Sequence, residues 1–325
     1  MKFPTFAASF LAFAVYAAEP VPVFQGSIER LDPALDALLA PEVKIEVLAS
    51  GFNWSEGPVW KDGGIVFSDV PENTVFGWKE GDKEAKVVLK PSGSLNGVGG
   101  QGSNGLAVDA KGQLVLCQHG ERRVARLEKN GSFTALADRF EGKRFNSPND
   151  LVIAKSGLVY FTDPPYGLKK GSDQPELDFH GIYSVDAAGK VTLIDKSIRF
   201  PNGIALSPDE KILYVAVSDP QDSRVISYDL TSANPSAKVV FNAQSLKSPQ
   251  RKGGCDGMKV DAQGNLWTTG PGGVLILDKN GKHLGSILTG QATANCAWGG
   301  DDFSTLYITA DMFLVRVATK THGIR

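Results

Sequence analysis

The sequence predicts an all-β protein, a six-bladed β-propeller with four-stranded blades. The first reason is a hairpin pattern that recurs along the chain: a short alternating strand, a few turn-forming residues, and a second apolar strand. The second reason is that weaker strand pairs lie between these copies, so each copy and its partner make a four-stranded unit. The strong copies are VWKDGGIVFSDV, LAVDAKGQLVLCQ, LVIAKSGLVYFTD, IALSPDEKILYVA, MKVDAQGNLWTTG and WGGDDFSTLYITA.

The third reason is the spacing of these units. One polar residue leads into each strong copy, and in chain order these are Glu56, Asn104, Asn149, Asn202, Asp256 and Asn295. Successive members are 48, 45, 53, 54 and 39 residues apart. An interval of about forty to fifty residues is typical of a four-stranded propeller blade. A two-domain α/β fold lacks the helices it would need, and a β-sandwich would not produce a regular interval.

Residues 1–18 are predicted to be a signal peptide. Lys2 supplies a positive charge, an uncharged apolar run follows, and small residues close it, so that cleavage is expected after Ala17 or Ala18. The apolar run is too short to span a bilayer comfortably. The protein is therefore expected to be periplasmic or secreted, with no membrane anchor once the signal is removed.

The rest of the chain is predicted to form one domain after a short lead-in. Residues 19–41 are an N-terminal extension, in which ERLDPALDALLA (29–40) predicts a short helix or a 3₁₀ turn. Residues 42–325 form the propeller, which is also the catalytic domain. A propeller ring usually closes by sharing one blade between the two ends of the chain, so the early segment VKIEVLAS is expected to be the outer strand of the last blade.

The charge balance limits the kinds of partner. The chain has 34 Lys and Arg against 36 Asp and Glu, a formal net charge of -2. Without a basic field it is not expected to bind nucleic acid, and a small-molecule partner is favoured. A monomer or weak oligomer is expected. Three cysteines, Cys117, Cys255 and Cys296, do not make a disulfide framework, and the sequence leaves open whether two of them pair.

The six leading residues have a chemistry in common. In a propeller the innermost strand of each blade runs along the central channel, so residues at its start gather around one opening. Here they supply carboxylates from Glu56 and Asp256 and amide oxygens from the asparagines. Such oxygen donors suit a hard cation, and Ca²⁺ in particular takes six to eight of them. The alternative is that each Asn-Gly or Asp-Gly pair is only a turn former.

The chain resembles the gluconolactonase branch of the senescence-marker-protein, gluconolactonase and luciferin-regenerating-enzyme family. The resemblance covers nearly the whole mature chain and rests on motifs that follow in order: SEGPVW, NGLAVD, NSPNDLVI, FTDPPYG, PNGIALSPDEKILYVA, DGMKVDAQGNLW and NCAWGGDDFSTLYIT. It implies a six-bladed propeller with a divalent metal in the central channel, and the hydrolysis of sugar lactones.

The resemblance also implies roles for individual residues. Glu56 in SEGPVW, Asn202 in PNG and Asp256 in DGM match metal-binding residues of the family. Asn149, the asparagine of the ND pair, lies close to both metal and substrate and completes the expected metal set. Asp256 is in addition the implied proton acceptor and donor, and therefore the expected catalytic residue. Ca²⁺ is the expected cation, with Zn²⁺, Mn²⁺ or Mg²⁺ as alternatives.

Four residues are expected to bind the substrate: Asn104, His119, Asn149 and Tyr166. Tyr166 lies in a loop after a strand, where propellers shape their pockets, although turn chemistry alone also explains DPPYG. His119 in CQHGERR lies either at the channel mouth or on the opposite face, and is the nearest candidate for a second base. Animal members that hydrolyse sugar lactones have an arginine where this chain has Ser147, so a cationic substrate clamp is absent at that position.

These observations predict a metal-dependent hydrolase that opens sugar lactones, with water activated at a divalent cation in the channel. Two alternatives stay open. One is a non-catalytic ligand-binding propeller with a structural Ca²⁺, and the other is a hydrolase of non-sugar lactones or esters. The fold by itself does not choose between them, because propellers serve both catalysis and binding.

Overall fold

The computed structural model of the protein describes residues 22–95, 101–168 and 174–324. The predicted signal peptide, residues 1–18, lies outside the described residues. Within the described ranges, four-stranded antiparallel sheets are arranged in a ring, and the innermost strand of each sheet contacts those of its neighbours. The all-β, six-bladed propeller predicted from the sequence is therefore confirmed.

The first half of the ring follows two N-terminal strands, β1 (Ser27–Arg30) and β2 (Ile45–Ser50). From the channel outwards, blade one consists of β3 (Ser55–Lys61), β4 (Gly64–Asp69), β5 (Thr74–Trp78) and β6 (Lys86–Leu89). Blade two consists of β7 (Ser103–Val108), β8 (Leu114–Gln118), β9 (Arg123–Leu127) and β10 (Phe133–Ala137). A small hairpin follows, made of β11 (Arg139–Phe140) and β12 (Lys143–Arg144). Blade three consists of β13 (Leu151–Ile153), β14 (Val159–Asp163), β15 (Gly181–Val185) and β16 (Val191–Asp195).

The second half of the ring repeats this order. Blade four consists of β17 (Pro201–Leu206), β18 (Ile212–Val217), β19 (Arg224–Asp229) and β20 (Lys238–Asn242). A short 3₁₀ helix (Gln244–Leu246) precedes the next blade. Blade five consists of β21 (Met258–Val260), β22 (Leu266–Gly270), β23 (Gly273–Leu277) and β24 (His283–Leu288). Blade six consists of β25 (Thr293–Gly299), β26 (Thr305–Ala310), β27 (Phe313–Ala318) and, outermost, β2.

The ring closes as the sequence predicted. Strand β2, which contains most of VKIEVLAS, pairs antiparallel with β27 and so completes the last blade. On the channel side, β25 of blade six contacts β3 of blade one. Joining the N-terminal and C-terminal parts of the chain in one sheet leaves the ring without a gap between first and last blades.

The N-terminal extension contributes to the propeller as well. Strand β1 pairs with β24 and adds a fifth strand to blade five, which the sequence pattern did not show. Glu29 on this strand forms an ion pair with Arg251. The segment predicted as a helix or 3₁₀ turn is a 3₁₀ helix (Pro33–Ala37), and the Asp32 side chain accepts a hydrogen bond from Ala34 N at its start (2.9 Å). This capping satisfies a backbone donor that a short helix leaves free.

Aspartates that recur in the turns of the repeat stabilise the hairpins. Asp109 Oδ1 accepts hydrogen bonds from the backbone N–H groups of Lys111 (2.8 Å) and Gln113 (2.9 Å). Asp261 Oδ1 does the same in blade five, where Gln263 N and Asn265 N donate. A short acidic side chain that binds the backbone two residues on fixes the turn locally. This is why the turn spacing could be read directly from the sequence.

The apolar core lies between the blades. Each buried cluster in the described part of the chain joins two neighbouring sheets, which pack face to face. In the cluster that joins blades two and three, Phe161 and Tyr183 of blade three stack with ring centroids 5.4 Å apart. Between blades five and six, Trp267 meets Trp298 edge to face at 5.1 Å. Because the apolar faces are used between sheets, the ends of the inner strands can carry polar groups into the channel.

Two further findings concern the cysteines and the membrane. Cys117, Cys255 and Cys296 are all buried free thiols, and burial raises the pKa of each. Among the described residues no helix has the length and apolar character needed to cross a bilayer.

Candidate functional site

The site residues selected from the sequence line one cavity. It has a volume of about 360 Å³ and lies where the inner strands β3, β7 and β17 begin. The selected residues that line it are Glu56, Asn104, His119, Asn149, Tyr166, Asn202 and Asp256. Five more complete the wall: Trp54, Val70, Pro71, Gln101 and Ser218. A wider opening of about 970 Å³ lies where the inner strands end, and is lined there by Val108, Ile153, Leu206 and Val260.

Four side-chain oxygens of the 360 Å³ cavity are unpaired. The Oδ1 atoms of Asn104, Asn149, Asn202 and Asp256 are buried and accept no hydrogen bond from any described residue. A buried acceptor without a donor costs free energy, so such a group indicates a position where an ion, a water or a ligand binds. No three His, Cys, Asp or Glu side chains in the described ranges are grouped to hold a metal. A cation bound here would therefore depend on amide oxygens, and this donor set fits Ca²⁺.

The Asn-Gly pairs of the motifs lie within strands and are not hairpin turns. Asn104-Gly105 lies in β7 and Asn202-Gly203 lies in β17. The glycine is required because neighbouring inner strands approach closely: a Cβ at Gly203 would lie 2.0 Å from Asp256 O. Gly203 N in fact donates a hydrogen bond to that oxygen (3.1 Å). The alternative reading, in which each pair is only a turn former, is wrong for these two pairs.

A β-bulge directs several of these side chains. The pairing register shifts between Glu56 and Val59 in β3, and between Pro201 and Ile204 in β17. A corresponding shift occurs in β7, next to Asn104. A bulge interrupts the alternation of side chains and re-aims one residue. Here it turns a polar side chain towards the cavity while the rest of the strand keeps its apolar residues between the blades.

Three carboxyl groups lie close enough to influence one another. Burial, and then the charge of Asp150, raises the pKa of Glu56 to about 7. The pKa of Asp256 is raised well above its usual range by burial and by the charges of Glu56 and Asp150. Burial also raises the pKa of Asp150, and the charge of Lys259 offsets part of that rise. Each carboxyl group opposes the ionisation of the others, and a bound cation would remove this opposition.

Asp150 was missed by sequence reasoning. It follows Asn149 directly in the motif PND, just before β13, but its link to the site runs through Asn295, 145 positions away in the chain. It is 2% exposed, and its Oδ1 accepts a hydrogen bond from Leu151 N (2.9 Å). Asp150 does not line the cavity. The negative charge of Asp150 therefore acts on the cavity from outside its wall.

Asn295 leads the sixth inner strand but does not line the cavity. Its Nδ2 donates to Glu56 Oε2 (3.2 Å) and to Asp150 Oδ2 (3.4 Å). Its Oδ1 accepts from Cys296 N (2.9 Å) and Lys259 Nζ (3.3 Å). The amide therefore joins two carboxyl groups to each other and holds the Glu56 side chain in place.

His119 lies on the cavity side of the propeller, which resolves the two positions the sequence left open. It follows β8, and the backbone N–H of His119 donates to Gly102 O (3.1 Å). The side chain is 1% exposed, and its Nδ1 is 3.1 Å from Gln101 Oε1. Burial lowers the pKa of His119 to about 4. The imidazole is therefore neutral over the ordinary range of pH.

Tyr166 forms part of the rim of the cavity. Its ring is 39% exposed and stacks on Phe200, with centroids 6.0 Å apart and planes 17° apart. The Tyr166 hydroxyl hydrogen-bonds Ser218 Oγ, which also accepts from Asn202 Nδ2 (3.3 Å). Ser218 thus orients the Asn202 amide so that its oxygen faces the cavity. His180 lies behind this rim, where its Nδ1 accepts from Phe200 N (3.2 Å).

Ser147, at the position where the motif resemblance implied an arginine in animal members, is structural in this protein. It is fully buried and is not part of the cavity wall. Its N–H donates to Asp163 Oδ1 (2.7 Å), and its hydroxyl donates to Pro164 O (2.6 Å). The same hydroxyl accepts from Gly167 N (2.8 Å). Ser147 therefore fastens the loop that carries Tyr166, and among the described residues no lysine or arginine lines the cavity.

The fold agrees with what comparison with known proteins shows. Residues 54–311 match the SMP-30/Gluconolactonase/LRE-like region. The chain belongs to this family. It is 40% identical over 313 residues to a gluconolactonase of Zymomonas mobilis, an alignment that covers 92% of this chain and 87% of that protein.

Other family members are more distant in sequence. The solved structure of a gluconolactonase from Xanthomonas campestris superposes with a TM-score of 0.79 at 31% identity, covering 93% of this chain and 99% of that one. Regucalcin of Xenopus laevis is 27% identical over 281 residues, covering 82% of this chain and 87% of that protein. The family resemblance read from the motifs is confirmed.

Proposed function

We propose that the protein is a metal-dependent lactonase that opens sugar lactones such as D-glucono-1,5-lactone. The observation that carries this proposal is the set of unpaired acceptors in the cavity, the Oδ1 atoms of Asn104, Asn149, Asn202 and Asp256. The names of the relatives support the reaction class, since a gluconolactonase is 40% identical to this chain. Metal dependence, and the activation of the attacking water at a cation in the channel, are inferred from the donor set.

Four residues would hold the cation: Glu56, Asn149, Asn202 and Asp256. Two carboxylates and two amides offer only oxygen, the donor that Ca²⁺ prefers, and Zn²⁺, Mn²⁺ or Mg²⁺ are the alternatives. When bound, such a cation supplies Lewis-acid polarisation of the lactone carbonyl. Since these residues come from four different blades, the rigid ring fixes their relative positions before any ligand arrives.

The cavity wall suits a small neutral substrate. Its volume of about 360 Å³ lies near the lower end of the range for small-molecule sites, about 300–1,000 Å³. The exposed ring of Tyr166 offers an apolar face at the rim, and Asn104 offers an acceptor for a hydroxyl group. Without a lysine or arginine among the described lining residues, a neutral lactone is favoured over a phosphorylated one.

Asp256 is expected to bind the cation and to carry the proton, and these two roles oppose each other. A carboxylate that binds a dication has a lower affinity for a proton. The geometry favours the ligand role, because Asp256 Oδ1 shares the cavity with the unpaired amide oxygens. The proton transfer itself calls for a second group.

The proposal is tested by measuring acid release from D-glucono-1,5-lactone with metal-stripped protein. Ca²⁺, Zn²⁺, Mn²⁺ or Mg²⁺ is then added back singly. A rate well above spontaneous hydrolysis, restored by one of these ions, is the expected result. If no ion restores a rate, the sugar-lactone assignment is wrong.

One observation favours a second candidate function, hydrolysis of non-sugar lactones or esters. Part of the wall is apolar, made by Trp54, Val70 and Pro71, and would accommodate an alkyl chain better than a polyol. Assaying γ- and δ-lactones with alkyl substituents in parallel distinguishes the two. Inactivity towards every lactone and ester, together with Ca²⁺-dependent stabilisation, would instead support a non-catalytic propeller with a structural cation.

A further inference from the structure

We propose that His119, oriented by Gln101, is the catalytic base that takes the proton from the attacking water and returns it to the ring oxygen. This role rests on the lactonase function proposed above. It concerns a side chain whose position relative to the channel the sequence could not decide.

The His119 side chain is held rigidly at the cavity wall. It follows β8, is 1% exposed, and lines the same cavity as Glu56 and Asp256. On its other side it packs against the loop that carries Tyr166: a Cβ at Gly167 would lie 2.6 Å from His119 Cβ and Cγ. A ring confined between these two elements keeps one orientation, as a group that must meet a water molecule requires.

The hydrogen bond to Gln101 defines which ring nitrogen is available. His119 Nδ1 is 3.1 Å from Gln101 Oε1. An amide oxygen only accepts hydrogen bonds, so Nδ1 carries the hydrogen and Nε2 keeps a free electron pair. His119 Nε2 is buried and has no hydrogen-bond partner among the described residues. A neutral imidazole with its basic nitrogen unpaired at the wall of a cavity is arranged to accept a proton.

This assignment removes the conflict at Asp256. Asp256 remains a ligand, whereas His119 is not among the four residues proposed to hold the cation. Burial lowers the pKa of His119 to about 4, so the imidazole is neutral before the proton transfer. Both side chains line the same cavity, so a water bound between them reaches the imidazole without leaving the site.

The proton transfers balance. As the water oxygen forms its bond to the lactone carbonyl carbon, one water O–H bond breaks and the proton moves to His119 Nε2. The bond between that carbon and the ring oxygen then breaks, and its electron pair stays on the ring oxygen. The proton passes from Nε2 to the ring oxygen, which leaves as a hydroxyl group. The product is the open hydroxy acid, and the imidazole is neutral again.

The first test is His119→Gln, which keeps a polar side chain but removes the base. We expect kcat to fall by about 10²–10⁴-fold, the usual contribution of a general base. The Kd for Ca²⁺, measured by titration calorimetry, should stay within about threefold of wild type. The matched control is His283→Gln in blade five, a histidine outside the cavity whose Nε2 contacts Ser286 Oγ (3.0 Å). It should leave both quantities unchanged.

Two outcomes would overturn the role of His119. One is a kcat within about fivefold of wild type, since a general base contributes at least about a hundredfold. The other is a loss of Ca²⁺ affinity that parallels the loss of activity, which would place His119 in the cation site. Wild-type protein that hydrolyses no lactone would remove the proposed function and this role together, whereas an active His119→Gln protein removes only the role.

The second test concerns Gln101, which acts as a positioning residue. Gln101→Met removes the acceptor for Nδ1–H, and Gln101→Glu retains one. We expect the methionine variant to lose about tenfold or more in kcat, as for other groups that orient a functional side chain, and the glutamate variant to recover most of it. Equal activities in the two variants would show that the Nδ1 contact does not set the tautomer.

Discussion

The sixth blade differs from blades two to five at the same place in the fold. In those four blades the polar residue that leads the inner strand presents an unpaired buried oxygen to the cavity, as Asn149 and Asn202 do. In blade six the equivalent Asn295 is fully paired, to Glu56 and Asp150 through its Nδ2 and to Lys259 through its Oδ1. The difference shows that a position at the start of an inner strand does not by itself assign a role in the site to the residue there. An unpaired acceptor indicates a ligand site, and a paired one indicates support for it.

The largest loss of activity is expected from removing Asp256, whose carboxyl group carries one of the unpaired acceptors. Asp256→Ala should abolish measurable turnover, a loss of about 10³-fold or more, and should remove the rise in melting temperature that Ca²⁺ causes. The cation-free variant should be as stable as wild type or more so, because it no longer buries a carboxyl group beside the charges of Glu56 and Asp150. Lactone hydrolysis and thermal unfolding with and without Ca²⁺ measure both effects. Full activity in this variant would contradict the ligand role.

A smaller effect, on the affinity for Ca²⁺, is expected from removing Asn295, the paired residue of blade six. Asn295→Ala leaves the cavity lining intact but frees the Glu56 carboxyl, so the Kd for Ca²⁺ should rise by about 10–100-fold, as for other groups that orient metal ligands. Activity at saturating Ca²⁺ should be largely restored, because Asn295 does not contact the cavity.

The matched control for Asn295 is Asn265→Ala. Asn265 Nδ2 also donates to a carboxylate, Asp261 Oδ2 (2.8 Å), but in a hairpin turn outside the cavity. It should lower the melting temperature and leave the Kd for Ca²⁺ unchanged. If both variants lowered only the melting temperature, Asn295 would be a structural residue with no bearing on the cation.

The smallest expected effect is on the pH dependence of stability. The pKa of Glu56 is about 7 in the folded, cation-free protein, above its ordinary 4.5, because of burial and the charge of Asp150. Between these values the native state binds more protons than the unfolded state, so stability falls as pH rises through about 7. Metal-stripped protein should therefore melt a few degrees lower at pH 8 than at pH 5. Glu56→Gln should weaken this dependence, and an identical profile in both proteins would show that Glu56 does not cause it.

Much of the fold could be predicted from the sequence because its signals are local. The aspartates that stabilise turns, such as Asp109 and Asp261, act within four residues, so each hairpin is visible in the chain. The closing strand β2 was predictable because a ring needs both ends in one blade. Strand β1 was not, since its place beside β24 depends on a contact with residues some 250 positions away, including the pair between Ser286 Oγ and Glu29 Oε2 (2.9 Å).

The sequence by itself determined the residue types of the site and their place at the start of the inner strands, because an evenly repeated blade brings equivalent positions to one opening. Only the tertiary structure decided which of them are unpaired. Asn202 and Asn295 look alike in the chain, yet one is turned into the cavity by Ser218 and the other is held between Glu56 and Asp150. The bond that orients Asn202 lies within blade four, between residues 16 positions apart, whereas the bonds of Asn295 join different blades and residues 239 and 145 positions apart in the chain. Asp150 was hidden for the same reason as the role of Asn295, because its contact with Asn295 joins residues 145 positions apart.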